Sequence, residues 1–368
     1  MSQAPLELER NHSIPLELLS LTSDEVARLA HDLGWPRHRA TQLLRWLYRK
    51  RAHSIDEMTD LSRDDRFRLG ALAGIDRLSC HSIVESSDGT KKFLARLNDG
   101  LMVECVLIAE ARRLTLCVST QVGCTLDCRF CLTGTMGLKR NLTAHEIVDQ
   151  VLMVQDRLGS DERLTSLVLM GMGEPLANID AVSEAVRRVT NDLWGVGLPA
   201  RRITLSTAGL ASRMKEVAAL GINLAVSLNA TTASQREHLM PAASRLFSLD
   251  ELMEACRRYP LPPRRRLTFE YVLLGGINDA DHDAKRLAAL LAGIRCKVNL
   301  IPFNEFAMSP FREPDEVTTI RFQTVLKRAG LPTFIRKSKG RDVLGACGQL
   351  GEVASRSAGA LTPAEIGC

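Results

Sequence analysis

The sequence predicts an α/β protein, a partial (β/α)6 barrel with a small helical N-terminal accessory domain and a short β-hairpin extension. The first observation is a recurrence after residue 114: the apolar runs LTLCVST (114–120), TSLVLMG (165–171), RITLST (202–207), INLAVSL (222–228), LTFEYVLL (267–274) and VNLIPF (298–303) alternate with helical stretches. Strands separated by helices argue for a parallel sheet, barrel-like or doubly wound, and six such units make a partial barrel. The second is helical periodicity over residues 22–70, and the third is a period-two stretch between these regions.

Taken in chain order, TSDE (22–25) is a capping-box pattern in front of Val26, Leu29, Ala30 and Leu33. Ala40, Leu43, Leu44 and Leu47 give a second apolar stripe, and SRDD (62–65) can start a third helix. KKFLARLNDGLMVECVLI (91–108) alternates around Asn98, Asp99 and Gly100, a hairpin turn signal. Thr143 and Glu146 form another capping box ahead of Ile147, Val151, Val154 and Leu158, which predicts the helix after the first barrel strand. The expected domains are 1–75 (helical), 76–113 (β-hairpin extension), 114–350 (barrel) and 351–368 (a flexible tail).

Composition sets the surroundings. A chain of 368 residues with 45% hydrophobic content buries a substantial core. No stretch approaches the roughly 18 apolar residues that span a bilayer, and MSQAPLELER lacks the apolar segment of a signal peptide, so the expected location is the cytoplasm, with no membrane partner. The net charge of +5 is too weak to assign a nucleic-acid partner, so its distribution matters more. The second helix carries Arg37, His38, Arg39, Arg45, Arg49, Lys50 and Arg51 around Trp46 and Tyr48. That mixture suits phosphates and stacked bases, although a solvated basic face with Trp46 or Leu47 in the core is the commoner use.

Ten cysteines in a long chain without secretion signals point to metal or redox chemistry rather than disulfides. Cys124, Cys128 and Cys131 stand in C-x3-C-x2-C spacing in the loop after the first barrel strand, where catalytic loops of parallel barrels lie. Structural zinc usually takes four ligands, and a C-x-x-C redox pair leaves Cys124 without a role. Three soft thiolates can instead hold three irons of a [4Fe–4S] cluster and leave the fourth open to an exogenous ligand.

The spacing, Phe130 before the last cysteine and the position after the first strand resemble the radical S-adenosylmethionine (SAM) superfamily, whose open iron chelates SAM. The resemblance implies SAM-handling roles for GMGEPL (171–176), with Gly173 allowing close backbone approach and Glu174 pairing with the ligand's ammonium group. It implies further contacts from Ser206, Ser227, Leu228, Asn229 and Asn304 at the ends of later strands.

VECVLIAEARRLTLCVSTQVGC (103–124), RNLTAHEIVDQV (140–151), GMGEPLAN (171–178), LIPFNEF (300–306) and FIRKSKGRDVLGACGQL (334–350) closely resemble the radical SAM RNA adenine methyltransferases, the RlmN/Cfr family. The similarity spans roughly residues 15–350 and implies methylation of an adenine ring carbon, carbon 2 first and carbon 8 as the nearest alternative, in 23S rRNA and in tRNA. It implies that Cys347 is methylated and carries the carbon to the base. Cys117 then releases product through a transient disulfide, and Glu104 accepts a ring proton. Implied partners are RNA, gripped by the basic helix and by Arg264, Arg265 and Arg266, and an electron donor such as flavodoxin or ferredoxin; the chain is expected to be a monomer. Where the family pattern has His, this chain has Asn229, whose amide both donates and accepts. A non-catalytic iron–sulfur RNA-binding redox sensor is the rival of another class, and Cys347 is the residue it leaves unused.

Overall fold

The computed structural model describes residues 15–351 apart from 112 and 308. The expected tail therefore lies outside the described residues beyond Gly351.

Helices α1 (Ser23–Asp32), α2 (His38–Tyr48) and α3 (Arg63–Gly70) form the N-terminal unit. Thr22 and Glu25 close the capping box of α1, and Ser62 accepts the Asp65 N–H at the start of α3. The apolar stripe of α2 is buried, and so are Trp46 and Tyr48. Neither ring is thus available to stack on a base.

Three basic residues of α2 and the turn after it hold this unit on the barrel, whereas Arg39 and Lys50 engage Asp60 within the unit and Arg37 and His38 are exposed. Arg45 donates to the Leu193 carbonyl at 3.0 Å, Arg49 to that of Gly195 at 3.2 Å, and Arg51 pairs with Asp156 at 2.6 Å. From the barrel side Arg188, 2% exposed, donates to the Leu19 carbonyl at 2.6 Å and to the Tyr48 hydroxyl at 3.0 Å. A single hydrophobic core runs through both parts. Burial of the helix stripes in that core, rather than helix propensity, supplies most of the unit's stability.

One sheet of ten strands follows chain order throughout. Strands β1 (Ser79–Glu85), β2 (Lys91–Arg96) and β3 (Met102–Glu110) form an antiparallel meander, with Gly100 at positive φ in the turn. Then β4 (Arg113–Val118), β5 (Ser166–Leu169), β6 (Ile203–Thr207), β7 (Asn223–Ser227), β8 (Leu267–Leu273), β9 (Cys296–Pro302) and β10 (Thr333–Ile335) run parallel to one another. The segment 76–113 thus extends the barrel sheet itself, through the antiparallel β3–β4 pair. The six predicted barrel strands are followed by a seventh, β10, whose three residues are too short to give a periodic signal.

The crossovers are α4 (Ala144–Gln155), α5 (Ile179–Thr190), α6 (Met214–Ala219), α7 (Ala233–Leu239), α8 (Leu249–Arg257), α9 (Asp281–Leu290) and α10 (Glu316–Arg328). Thr143 and Glu146 make the capping box of α4. Side chains from β4, β5, β6, β8 and β9 face one shared cavity. A flat sheet could not bring them together, so the sheet curls into a partial barrel. Among the described residues no helix is long and apolar enough to cross a membrane.

Candidate active site

Two cavities fill the barrel interior. One, of about 160 Å³, lies at the C-terminal ends of the strands and is lined by Cys124, Cys128, Cys131, Gly173, Glu174, Ser206, Ser227, Asn229, Asn304 and Cys347. The other, of about 170 Å³, is lined by residues placed earlier in the strands, among them Thr115, Cys117, Thr204, Thr268 and Lys297. Glu270, Asn304 and Cys347 belong to both walls. Cys347 therefore stands where the two spaces meet, enclosed by the barrel yet open to its interior.

The cysteine loop is tightly wound. The Cys131 N–H donates to the Cys128 carbonyl at 3.1 Å, and the Leu126 N–H points to Cys124 Sγ at 3.3 Å. A Cβ at Gly134 would stand 2.7 Å from the Cys128 carbonyl oxygen, so glycine there lets the chain pass behind the ligating turn. Burial raises the pKa of all three thiols, that of Cys124 to about 12. They hold their protons until a metal displaces them. Among the described residues no three His, Cys, Asp or Glu groups converge closely enough to share one metal ion.

The segment bearing Cys347 is tied to that loop. The Leu132 N–H donates to the Gly348 carbonyl at 2.7 Å, Thr133 Oγ1 to the Leu350 carbonyl at 2.6 Å, and Asn304 Nδ2 to the Cys347 carbonyl at 3.0 Å. Burial, reinforced by the Glu270 carboxylate and opposed by Arg336, pushes the Cys347 thiol up to about 11. Cys117, 8% exposed on β4, shares the second cavity with Cys347; burial and then the neighbouring Cys347 raise its thiol pKa.

The glycines of GMGEPL serve the chain's own packing. A Cβ at Gly171 would meet the Val118 carbonyl group at 2.7 Å, and one at Gly173, whose φ is +103°, would stand 2.6 Å from Gln121 Cβ. They let β5 run into the loop against residues 118–121, which sets Glu174 in the cavity wall. Glu174 accepts the N–H groups of Leu176 at 3.0 Å and Ala208 at 2.8 Å. Burial still raises its pKa, so a bound cation would complete its surroundings. Ser206 and Ser227 meet Oγ to Oγ at 3.1 Å.

Asn229 lies at φ +55°, a left-handed conformation that Asn tolerates, and its Oδ1 accepts the Val272 N–H at 2.9 Å. Leu228 lines neither cavity: its side chain is fully buried and its N–H donates to the Glu270 carbonyl. Glu104 also lines neither; it is 7% exposed, pairs with Lys92 at 3.0 Å and accepts the Gly351 N–H at 2.8 Å. Sequence reasoning missed Glu270, Lys297 and Arg336, which line the second cavity. Only the inward phase of the alternating run LTFEYVLL signalled the first.

A curled parallel sheet with three clustered thiols at the C-terminal ends of its strands is the architecture of a radical SAM enzyme. Residues 118–288 match the Radical SAM superfamily, and residues 16–75 match the ribosomal RNA large subunit methyltransferase N-terminal domain. The chain is 45% identical over 340 residues to the dual-specificity RNA methyltransferase RlmN of Syntrophus aciditrophicus, covering 92% of this chain and 97% of that one. It is 48% identical over 337 residues to the RlmN of Syntrophobacter fumaroxidans, covering 91% and 98%. A solved radical SAM methyltransferase from Sphaerobacter thermophilus superposes with a TM-score of 0.86 at 42% identity, over 91% of this chain and 99% of that one. The chain belongs to the RlmN family of radical SAM RNA methyltransferases.

Membership implies a [4Fe–4S] cluster and SAM. The residues present fit both groups. Three soft thiols line one cavity, Glu174 and the two serine hydroxyls face the same space, and the buried Asn304 Oδ1 has no hydrogen-bond partner among the described residues.

Proposed function

We propose that this chain methylates carbon 2 of adenine in 23S rRNA and in tRNA, with Cys347 carrying the methyl carbon and Cys117 releasing the product. The observation that carries the reading is the seat of Cys347: it lines the cavity of the three cysteines and also the cavity that holds Cys117. Cys124, Cys128 and Cys131 would hold the cluster, while Gly173, Glu174, Ser206, Ser227, Asn229 and Asn304 would hold SAM, with Leu228 contributing through its backbone position. Bound there, these groups supply an electrophilic methyl and a carbon-centred radical that abstracts hydrogen.

Adenine carbon 2 is electron-poor, so a polar methyl transfer to it has no nucleophile, whereas the Cys347 sulfur is one. Asn304 positions that sulfur by holding the Cys347 carbonyl. Once the carbon is joined to the base and the ring proton and one electron have left the adduct, the Cys117 thiolate attacks the Cys347 sulfur, and the sulfur–carbon bond breaks with its electron pair on the methylene carbon. That carbon takes up a proton to become the methyl group, and a disulfide remains for an external reductant to reset. Glu104 takes the ring proton in this scheme, which requires it to turn from Lys92 and Gly351 into the cavity whose wall it does not line. A flavodoxin- or ferredoxin-type protein supplies the electron that starts each turnover.

The base enters through the second cavity. Lys297, Arg336, Lys337 and Lys339 stand in its wall, where phosphates flanking an extruded adenine would meet them. Arg45, Arg49 and Arg51 are engaged with the barrel and Arg265 with the Gly221 carbonyl, so the phosphate grip falls to this rim, to Arg37 and His38, and to Arg264 and Arg266, which are exposed. Mass spectrometry of modified nucleosides from cells lacking and re-supplied with the gene tests the reading. Loss and return of 2-methyladenosine in both RNAs is expected; loss of 8-methyladenosine instead would overturn the carbon assignment.

A further inference from the structure

Arg236 on α7 is used by none of these roles. It is fully buried, and among the described residues only Nη2 of its guanidinium nitrogens has a hydrogen-bond partner, the Ala208 carbonyl at 2.8 Å. Nε and Nη1 are buried without a hydrogen-bond acceptor among the described residues. No carboxylate pairs with it among the described residues, and the ionisable groups that bear on it are the thiols of Cys128 and Cys256. Cys256 is a buried neutral thiol with its pKa raised to about 12 by burial, so it offers no countercharge.

An orphaned guanidinium in a protein interior is unfavourable unless an anion is brought to it. The fold fixes it beside the cysteine loop. The Arg129 N–H donates to the Leu239 carbonyl at the end of α7 at 3.0 Å, and the Ala242 N–H just beyond donates to Asp127 Oδ1 at 2.7 Å. Through Ala208 the cation is also coupled to Glu174, which holds the N–H of that residue while Arg236 holds its carbonyl.

We propose that Arg236 is the buried countercharge of the iron–sulfur cluster, held on the helix tied to the cysteine loop, and that it raises the cluster's reduction potential. The inference rests on the reading that Cys124, Cys128 and Cys131 hold that cluster. Three thiolates around the cluster leave a net negative charge, and reduction adds one more. A fixed cation at low dielectric stabilises the reduced state more than the oxidised one, so it favours uptake of the electron.

The test uses the full chain, reconstituted anaerobically with iron and sulfide, as wild type, Arg236→Gln and Arg236→Lys. Iron content is measured first, and a reductive titration is then followed by electron paramagnetic resonance. Gln can still donate to the Ala208 carbonyl but carries no charge. At the wild-type midpoint the ratio of reduced to oxidised cluster in Arg236→Gln should fall roughly tenfold, a shift of about 59 mV to more negative potential for a one-electron couple. Arg236→Lys should stay close to wild type. Iron lost from the Gln variant but retained by the Lys variant also supports a charge role. Equal midpoints in all three chains, or equal loss of iron from both variants, would overturn the proposal and leave Arg236 a packing residue. A wild-type chain that takes up no iron overturns the cluster reading itself.

Discussion

Glu104 Oε2 accepts the Gly351 N–H at 2.8 Å across a separation of 247 residues, while its other oxygen pairs with Lys92 at 3.0 Å. The carboxylate assigned the ring proton thus also anchors the segment that presents Cys347. Glu104→Gln retains an acceptor for Gly351 and removes the base. Single-turnover methylation should fall at least about a hundredfold, the usual contribution of a general base, and the melting temperature should fall as well, because the largely buried Lys92 ammonium loses its countercharge. Normal turnover in Glu104→Gln would confine Glu104 to the anchoring role.

Cys117 and Cys347 divide the work between attachment and release. Cys347→Ala should abolish methylation, because no sulfur remains to receive the carbon. Cys117→Ala should instead leave RNA covalently attached to Cys347, visible as labelled RNA that migrates with the denatured protein.

Gly134→Ala tests the cysteine loop without touching a ligand. The new methyl would meet the Cys128 carbonyl oxygen at 2.7 Å. Iron content after reconstitution should drop several-fold while the circular dichroism spectrum is preserved.

The second cavity as the RNA entrance predicts salt behaviour. Lys337 is exposed on its rim. If it meets a phosphate, Lys337→Ala weakens RNA binding and reduces the slope of log affinity against log salt by about 1. An unchanged slope would place the RNA track elsewhere.

Glu17 gives the fold a pH dependence. Burial raises its pKa from 4.5 to about 7, outweighing the Leu19 N–H that favours the carboxylate. Between those values the native state binds the proton more tightly than the unfolded chain, so its contribution to stability falls as pH rises from 4.5 to about 7. Glu17→Gln should raise the melting temperature at pH 8 and leave it unchanged at pH 4.

Much of the fold was legible because its signals are local. Capping boxes at Thr22 and Thr143 need only four residues, and the apolar runs of β4 to β9 are each long enough to show their period. The charges on α2 and just after it were ambiguous for a physical reason. An arginine that solvates a phosphate and one that caps a backbone carbonyl of a neighbouring domain have the same sequence, and here Arg45 and Arg49 do the second. Leu228 shows a similar limit, since its place at a strand end was readable but the direction of its side chain was not.

What the sequence determined by itself was chemistry that depends on residue type and short spacing: three thiols within one turn of loop, a glycine-flanked acid, and helices that begin where a hydroxyl can cap them. What only the tertiary structure decided was which distant groups share a space: Cys117 with Cys347, Glu270 with Arg336, and the helix of Arg236 with the cysteine loop. The reason is that a curled sheet brings strand faces together by closure, and closure is a property of the whole sheet that no single strand encodes.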